Sequence, residues 1–251
     1  MAPQITVIGI EGIPEVVPGS DLVQKILEAA EAQESPVEAE DILVITQKIV
    51  SKAEDRIVDL ATVIPSDLAS RWARDYDKDP RLIELALQDS RRISRMDKGI
   101  LVTETHHGFF CINSGVDASN VPGTDTVALL PHDSDASAQR IRDEIQQRTG
   151  LQVAIVITDT WGRPWRDGVV NIAIGVAGMD ALRDYRGLAD DYGREMHATA
   201  IAVVDELAGA AELVMGKVDR IPAAIVRGYA YTPAKGTVQD MIRPPERDIF
   251  R

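Results

Sequence analysis

The stretch ILVTETHHGFFCIN, Ile100 to Asn113, decides the fold class. Two runs rich in β-branched and aromatic residues, ILVTET and GFFCIN, meet at His106-His107-Gly108, an order that reads as an antiparallel hairpin. A hairpin in mid-chain breaks the strand–helix alternation of a doubly wound parallel sheet. The remaining segments mix helices and strands just as irregularly, so we expect an α+β protein with mixed and antiparallel sheets and flanking helices.

Upstream of the hairpin, a strand is expected over residues 5–10, then the turn-rich EGIPEVVPGSD. Ser20 or Asp21 caps a helix through about Gln33, with Leu22, Ile26, Leu27 and Ala30 spaced for one buried face. A second strand, DILVIT (Asp41 to Thr46), precedes QKIVSKAEDR, and helices are expected over 66–76 and 80–89, the latter opening on Pro80. Downstream come the turn-rich SGVDASNVPGTD, the strand TVALL, and a helix from Ser134 to Arg148 stopped by Gly150. VAIVIT then forms a strand that ends in Thr158-Asp159-Thr160 and empties into a polar loop, WGRPWRDG. Gly175 to Met196, rich in Gly and Asp, reads as an extended loop or short pieces, Thr199 to Lys217 contains an amphipathic helix, and PAAIVRGYAY supplies the last strand. No repeat or low-complexity linker divides residues 1–251, and subdomain boundaries are not readable.

The chain has 251 residues, enough to bury a core without covalent staples, and one cysteine, Cys111, which sits in an apolar run as packing filler. The N-terminus lacks a basic start followed by a long apolar stretch, and no segment is apolar enough for a membrane span, so a cytoplasmic location is expected. A net charge of −13 argues against a nucleic-acid surface. Where cations cluster in so acidic a chain, they mark candidate anion sites.

The phosphate-binding signatures G-x-x-x-x-G-K-[ST] and strand–G-x-G-x-x-G are absent. Lys48 and Lys52 follow a strand four residues apart, so a helical turn points both ammonium groups the same way. That suits a polyphosphate, although the same spacing more often makes a solvated face paired with Glu54 and Asp55. Asp117 in NSGVDASN and Asp159 in ITDT each end an apolar strand among hydroxyl and amide oxygens, the hard donors that Mg²⁺ and Mn²⁺ prefer. Singly, either Asp is more often a turn or cap residue. Arg163 and Arg166 are placed to neutralise phosphate or carboxylate, and Trp161 and Trp165 either stack on a ring or anchor the loop. In VVDELAGAAELVMGK the stripe Leu207, Ala210, Ala211, Val214 reads as core. Glu206 and Glu212 do not share a face, which leaves Asp205 and Glu206 as candidates to face a site. His106 and His107 lack the second His or Cys pair that a zinc site needs.

Taken in order, GIEGIPEVVPGSDL, DILVITQKIVSKAEDR, INSGVDASNV, ALLPHDSDASAQRIR, VITDTWGRPWRDG, DYGREMHATAIAVVDELAGAAELVMGK and PAAIVRGY resemble the coenzyme F420-0:L-glutamate ligases over nearly the whole chain. The resemblance implies an α+β fold of two interleaved subdomains in an intertwined homodimer, without the C-terminal flavin-reductase-like domain that some bacterial ligases carry. It implies a GTP-dependent ligase that uses Mg²⁺ or Mn²⁺, with K⁺, to join L-glutamate to coenzyme F420-0 and then to F420-1. By matched motif, Asp117 and Asp159 would hold a first metal, Thr160 would help with a second, and Glu206 is a further metal candidate. Gly12, Ile13, Pro14, Glu15, Gln47, Lys52, Asn120, Met215, Gly216 and Lys217 would meet GTP. Gln47 departs from the family, whose members often carry a small hydroxyl residue there.

The chemistry implied is demanding, because a carboxylate is a poor acyl acceptor until phosphorylated, and its approach to a γ-phosphate sets two anions against each other. Asp-bound cations, Lys52, Arg163 and Arg166 would relieve that repulsion. Two other readings share the same Asp and Lys positions: a metal-dependent phosphate ester hydrolase, and a nucleotide-binding module without turnover.

Overall fold

The computed structural model describes residues 2–248. In chain order its elements are β1 (Thr6–Gly9), α1 (Leu22–Ala32), β2 (Ile42–Thr46), α2 (Gln47–Ala53), β3 (Ile57–Asp59), α3 (Asp67–Tyr76), α4 (Pro80–Gln88), β4 (Ser90–Asp97), β5 (Ile100–Thr105), β6 (Phe110–Ile112) and β7 (Thr126–Ala128). There follow α5 (Ser134–Thr149), β8 (Ala154–Arg163), β9 (Arg166–Met179), β10 (Arg183–Asp184), β11 (Ala200–Ile201), α6 (Val203–Met215), β12 (Ala223–Arg227) and β13 (Pro233–Ala234). The architecture is α+β, with mixed and antiparallel sheets. The described chain divides into two compact units, each drawn from separate segments: residues 2–16, 20–50 and 133–241 in one, and 17–19, 51–132 and 242–248 in the other.

The first unit is built on a six-stranded sheet of order β1-β12-β2-β8-β9-β13. Only β2 and β8 run parallel; the other neighbours are antiparallel. The reason lies in their composition, since Ile42 to Ile45 and Ala154 to Ile157 are all fully buried, as parallel strands covered on both faces require. Helices α5 and α6 pack on β9. The helix ends follow local chemistry: the Asp21 and Asp133 carboxylates accept the backbone N–H of Gln24 and Ala136, and Gly150 closes α5 in the left-handed conformation. Between β8 and β9 the register slips by one, since Ile157 faces Gly175 but Thr158 faces Ala173, leaving Ile174 as a bulge.

The second unit holds the three-stranded sheet β4-β5-β6 and the pair β3-β7. The expected hairpin is present, with Thr103 opposite Cys111, and Cys111 is buried. Ala69, Ile83, Ala86 and Leu101 make one core cluster, and Leu60, Leu85 and Val127 another. Ser66 caps α3, while Asp79 caps α4 with Pro80 in its first turn.

Four expectations are corrected. The segment after Thr160 is no loop: β8 pairs with β9 as far as Arg163, so Asp159 lies within a strand. Gly175 to Met179, expected in a loop, completes β9, because its small and apolar residues fit the close approach of α5. Strand β4 was not expected, since SRRISRMD alternates poorly; its pairing with β5 crosses two irregularities, and Arg91 to Arg95 in its middle are exposed. In α6 the buried line is Val204, Leu207, Ala208, Ala211 and Met215, whereas Ala210 and Val214 are only half-buried.

Candidate functional site

Strands β8 and β9 carry the chemistry of the first unit. Side chains alternate along a strand, so Asp159 and Trp161 share one face and Thr160 points to the other. Trp161 Nε1 donates to Asp159 Oδ2 at 3.1 Å. Thr160 faces its cross-strand partner Asn171, and its hydroxyl donates to Asn171 Oδ1 at 2.7 Å. Just beyond the C-terminus of α6, the Lys217 ammonium donates to Thr160 Oγ at 2.6 Å and to Asn171 Oδ1 at 3.2 Å. It also lies 2.7 Å from Glu212 Oε1, and Asn171 Nδ2 donates to Glu212 Oε2 at 2.7 Å. Thr160, Asn171, Glu212 and Lys217 therefore form one hydrogen-bonded polar cluster where the sheet meets α6.

The bulge is secured beside this cluster. Asp205 Oδ1 accepts the Ala173 N–H at 2.8 Å, and the Thr158 hydroxyl donates to Ile172 O at 2.9 Å. Burial pushes the Asp205 carboxyl above the ordinary range, and the Ala173 hydrogen bond partly opposes the rise. Glu206, next in the chain, stands exposed in the first turn of α6.

At the hairpin tip Arg163 pairs in register with Arg166, and both are exposed. Arg163 Nη2 donates to Asp167 O at 3.3 Å. Trp165 takes a left-handed backbone, φ 58°, and is 85% exposed, whereas Trp161 is half-buried. The residues from Gly12 to Glu15 are tied to α1 from both sides: Glu11 N–H donates to Gln33 Oε1, and Lys25 Nζ donates to Glu15 O. Gln47, the first residue of α2, is buried, and Met215 is buried at the end of α6 ahead of the exposed Gly216.

In the second unit, Asp117 exchanges backbone hydrogen bonds with Ala128, which fixes the start of its loop. Its carboxylate accepts from Ser119 N–H at 2.7 Å and from Ser119 Oγ at 3.0 Å. Asn120 follows, exposed and left-handed at φ 53°. Lys52 is only 7% exposed, so it does not belong to a solvated cationic face. His107 Nε2 lies 2.8 Å from Pro131 O, and among the described residues no three His, Cys, Asp or Glu side chains are grouped to hold a metal. Each unit on its own offers hard oxygens, Asp117 in the second and Asp159 with the Thr160 hydroxyl on opposite faces of β8 in the first, the donor type that Mg²⁺ and Mn²⁺ prefer.

Asn171 and Glu212 were not singled out in the sequence. An asparagine inside VVNIAIGVAGM is the visible signal for the first, because a buried amide needs partners. Glu212 gave none, since its link to Lys217 runs through a turn and not along a helix face.

The family model for F420-0:Gamma-glutamyl ligase matches residues 11–228, most of the chain. The chain belongs to the F420-0:gamma-glutamyl ligase family. It is similar to the coenzyme F420:L-glutamate ligase of Methanothermobacter thermautotrophicus, 44% identical over 98% of this chain and 99% of that protein. It is similar also to proteins of the same name from Methanocaldococcus jannaschii, 43% identical over 86% of each chain, and Methanopyrus kandleri, 42% identical over 96% of this chain and 97% of that one. The stretch shared with the ligase family takes in the Asp117 loop, the β8–β9 hairpin and all of α6.

Proposed function

We propose that this ligase-family chain joins L-glutamate to coenzyme F420-0, and a further glutamate to F420-1, in γ-glutamyl amide linkage, with GTP converted to GDP and phosphate. The observation that carries this reading is the family match across residues 11–228, which unites the acidic loop, the hairpin and α6 in one known kind of ligase. In the proposed reaction an oxygen of the acceptor carboxylate attacks the γ-phosphorus, and GDP leaves. The glutamate amine, having lost a proton to water, then attacks the acyl carbon of the acyl phosphate and expels phosphate.

Asp117, Asp159 and Thr160 would hold Mg²⁺ or Mn²⁺, with Glu206 a further candidate ligand and K⁺ alongside; bound there, the cations would lower the repulsion between phosphate and carboxylate. The chain's own cations serve the same end. Lys217 presents an ammonium already held on the hairpin, and Lys52 adds a buried positive charge. Arg163 and Arg166 offer guanidinium forks at the tip for a carboxylate or phosphate. Gly12, Ile13, Pro14, Glu15, Gln47, Asn120, Met215 and Gly216 are assigned to nucleotide contact, and a homodimer is the proposed working form.

Mass spectrometry of the deazaflavin after incubation with GTP, Mn²⁺ and glutamate tests this. The expected result is a product heavier by one or more glutamyl units, formed only with GTP present. Phosphate release that needs no glutamate would replace the reading with a hydrolase, and GTP binding without product would replace it with a binding module.

A further inference from the structure

Asn171 is 3% exposed, on a strand whose following residues are apolar, and an amide buried there needs its polar atoms satisfied. Three partners satisfy it, and they fix which way it points. Its oxygen faces two donors, the Thr160 hydroxyl and the Lys217 ammonium, while its nitrogen faces the Glu212 carboxylate. The flipped amide would set N–H against the ammonium and C=O against the carboxylate, so the orientation is chemically forced. Glu212 is equally committed, one oxygen to Lys217 and the other to Asn171. An ammonium has three donors, and here three acceptors meet it: Thr160 Oγ, Asn171 Oδ1 and Glu212 Oε1. The turn that returns Lys217 toward Glu212 passes through Gly216 at φ 58°, where a Cβ would fall 2.1 Å from Asp219 Oδ2.

A lysine side chain that is half exposed would ordinarily sample many rotamers, and freezing it costs conformational entropy. Here the freezing is done before any ligand arrives. We propose that Asn171 and Glu212 are positioning residues which hold the Lys217 ammonium against Thr160, so that a nucleotide phosphate oxygen, replacing the 3.2 Å contact to Asn171 Oδ1, meets a cation already in place. The anion role rests on the nucleotide reading above; the fixing of Lys217 does not.

The test is a cycle of Glu212→Gln, Lys217→Met and the double variant, read as the dissociation constant for GTP. Glu212→Gln is expected to weaken binding about threefold to tenfold, the size of one charge-assisted contact at a half-exposed site. In the Lys217→Met background the same change should have no further effect, and Glu212→Asp should recover part of the loss. A purely structural clasp would lower the melting temperature of Glu212→Gln and leave its affinity for GTP at the wild-type value, which would overturn the proposal; so would single losses that simply multiply in the double variant. A second arm follows the ¹⁵N signal of the Lys217 ammonium without nucleotide. It should exchange slowly with water in the wild type and be lost in Glu212→Gln, and its survival there would refute the positioning. A wild-type protein that fails to bind GTP while the ammonium signal behaves as expected would overturn the nucleotide reading and the anion role of Lys217 together, leaving the fixed lysine established.

Discussion

Arg227, the last residue of β12, grips Asp41 with a two-pronged fork: Nε donates to Oδ1 at 2.8 Å and Nη2 to Oδ2 at 2.7 Å. Asp41 is 1% exposed, and its Oδ2 also accepts the Glu38 N–H at 2.7 Å. Nη1 reaches Glu38 Oε1 at 2.6 Å and Nη2 also donates to Pro36 O at 2.8 Å, binding the approach to β2 to the strand beside it. Removing Arg227 leaves a buried carboxylate with the Glu38 N–H but no countercharge on the fork. Arg227→Ala is expected to lower the unfolding free energy by about 3 kcal/mol, and Arg227→Lys by a smaller but clear amount, because an ammonium keeps the charge and loses the fork. Urea unfolding of the two variants checks the order; equal stability in all three proteins would refute it.

Two glycines on the same hairpin should respond in opposite ways. A Cβ on Gly175 would lie 2.4 Å from the backbone oxygen of Ser134 at the start of α5, whereas one on Gly162 would meet nothing within 4 Å. Gly175→Ala must push α5 away from the sheet and should cost about 2 kcal/mol, while Gly162→Ala should stay within about 0.5 kcal/mol of the parent. Thermal unfolding of both variants is sufficient to compare them.

Asp135 offers a test by pH. Burial, aided by the charges of Asp133 and Asp240, lifts its carboxyl above the ordinary value, against hydrogen bonds from the Val176 and Val238 N–H groups. A raised carboxyl means that the folded protein holds its proton to higher pH than the unfolded chain does. Its contribution therefore falls as pH rises from the ordinary aspartate range to the raised value, and is level beyond it. The stability of Asp135→Asn relative to the parent should grow across that window and stay constant above it. Unfolding curves taken from about pH 3 to about pH 7 would reveal a flat difference if the carboxyl were not raised.

Asp159→Asn should abolish ligation and leave the fold intact. The amide oxygen can still accept from Trp161 Nε1, so the strand keeps its local hydrogen bond while the negative charge is lost. An unchanged melting temperature with no γ-glutamyl product is the expected pair of results; full activity with unaltered metal affinity would exclude Asp159 from cation binding.

Much of the fold was legible because local chemistry settles it. The Asp21 cap, the helix starts at Ser66, Pro80 and Ser134 and the Gly150 stop lie close to where local chemistry puts them, and the Ile100 to Asn113 hairpin follows from its two β-branched runs. Strand β8 past Thr160 was not legible, because Gly162 and the nearby Pro164 are turn formers, and pairing with β9 carries the strand through Gly162 to Arg163. The Thr160–Lys217 contact was hidden for a related reason. It depends on a cross-strand register that a one-residue bulge shifts, and a bulge leaves no mark on hydrophobic periodicity. Lys52 was misjudged since spacing describes direction along a helix and says nothing of depth.

The strand order places β12, residues 223–227, between β1 and β2, residues 6–9 and 42–46. A ribosome that has made the first two of these strands has nothing to set between them until nearly the entire message has been read. Nascent chain must therefore wait, its buried-strand residues uncovered, and an exposed apolar edge of that kind is what holding chaperones recognise. Synthesis of this protein in a foreign host should depend more on chaperone supply than on codon choice, since the sheet closes only from its last long strand.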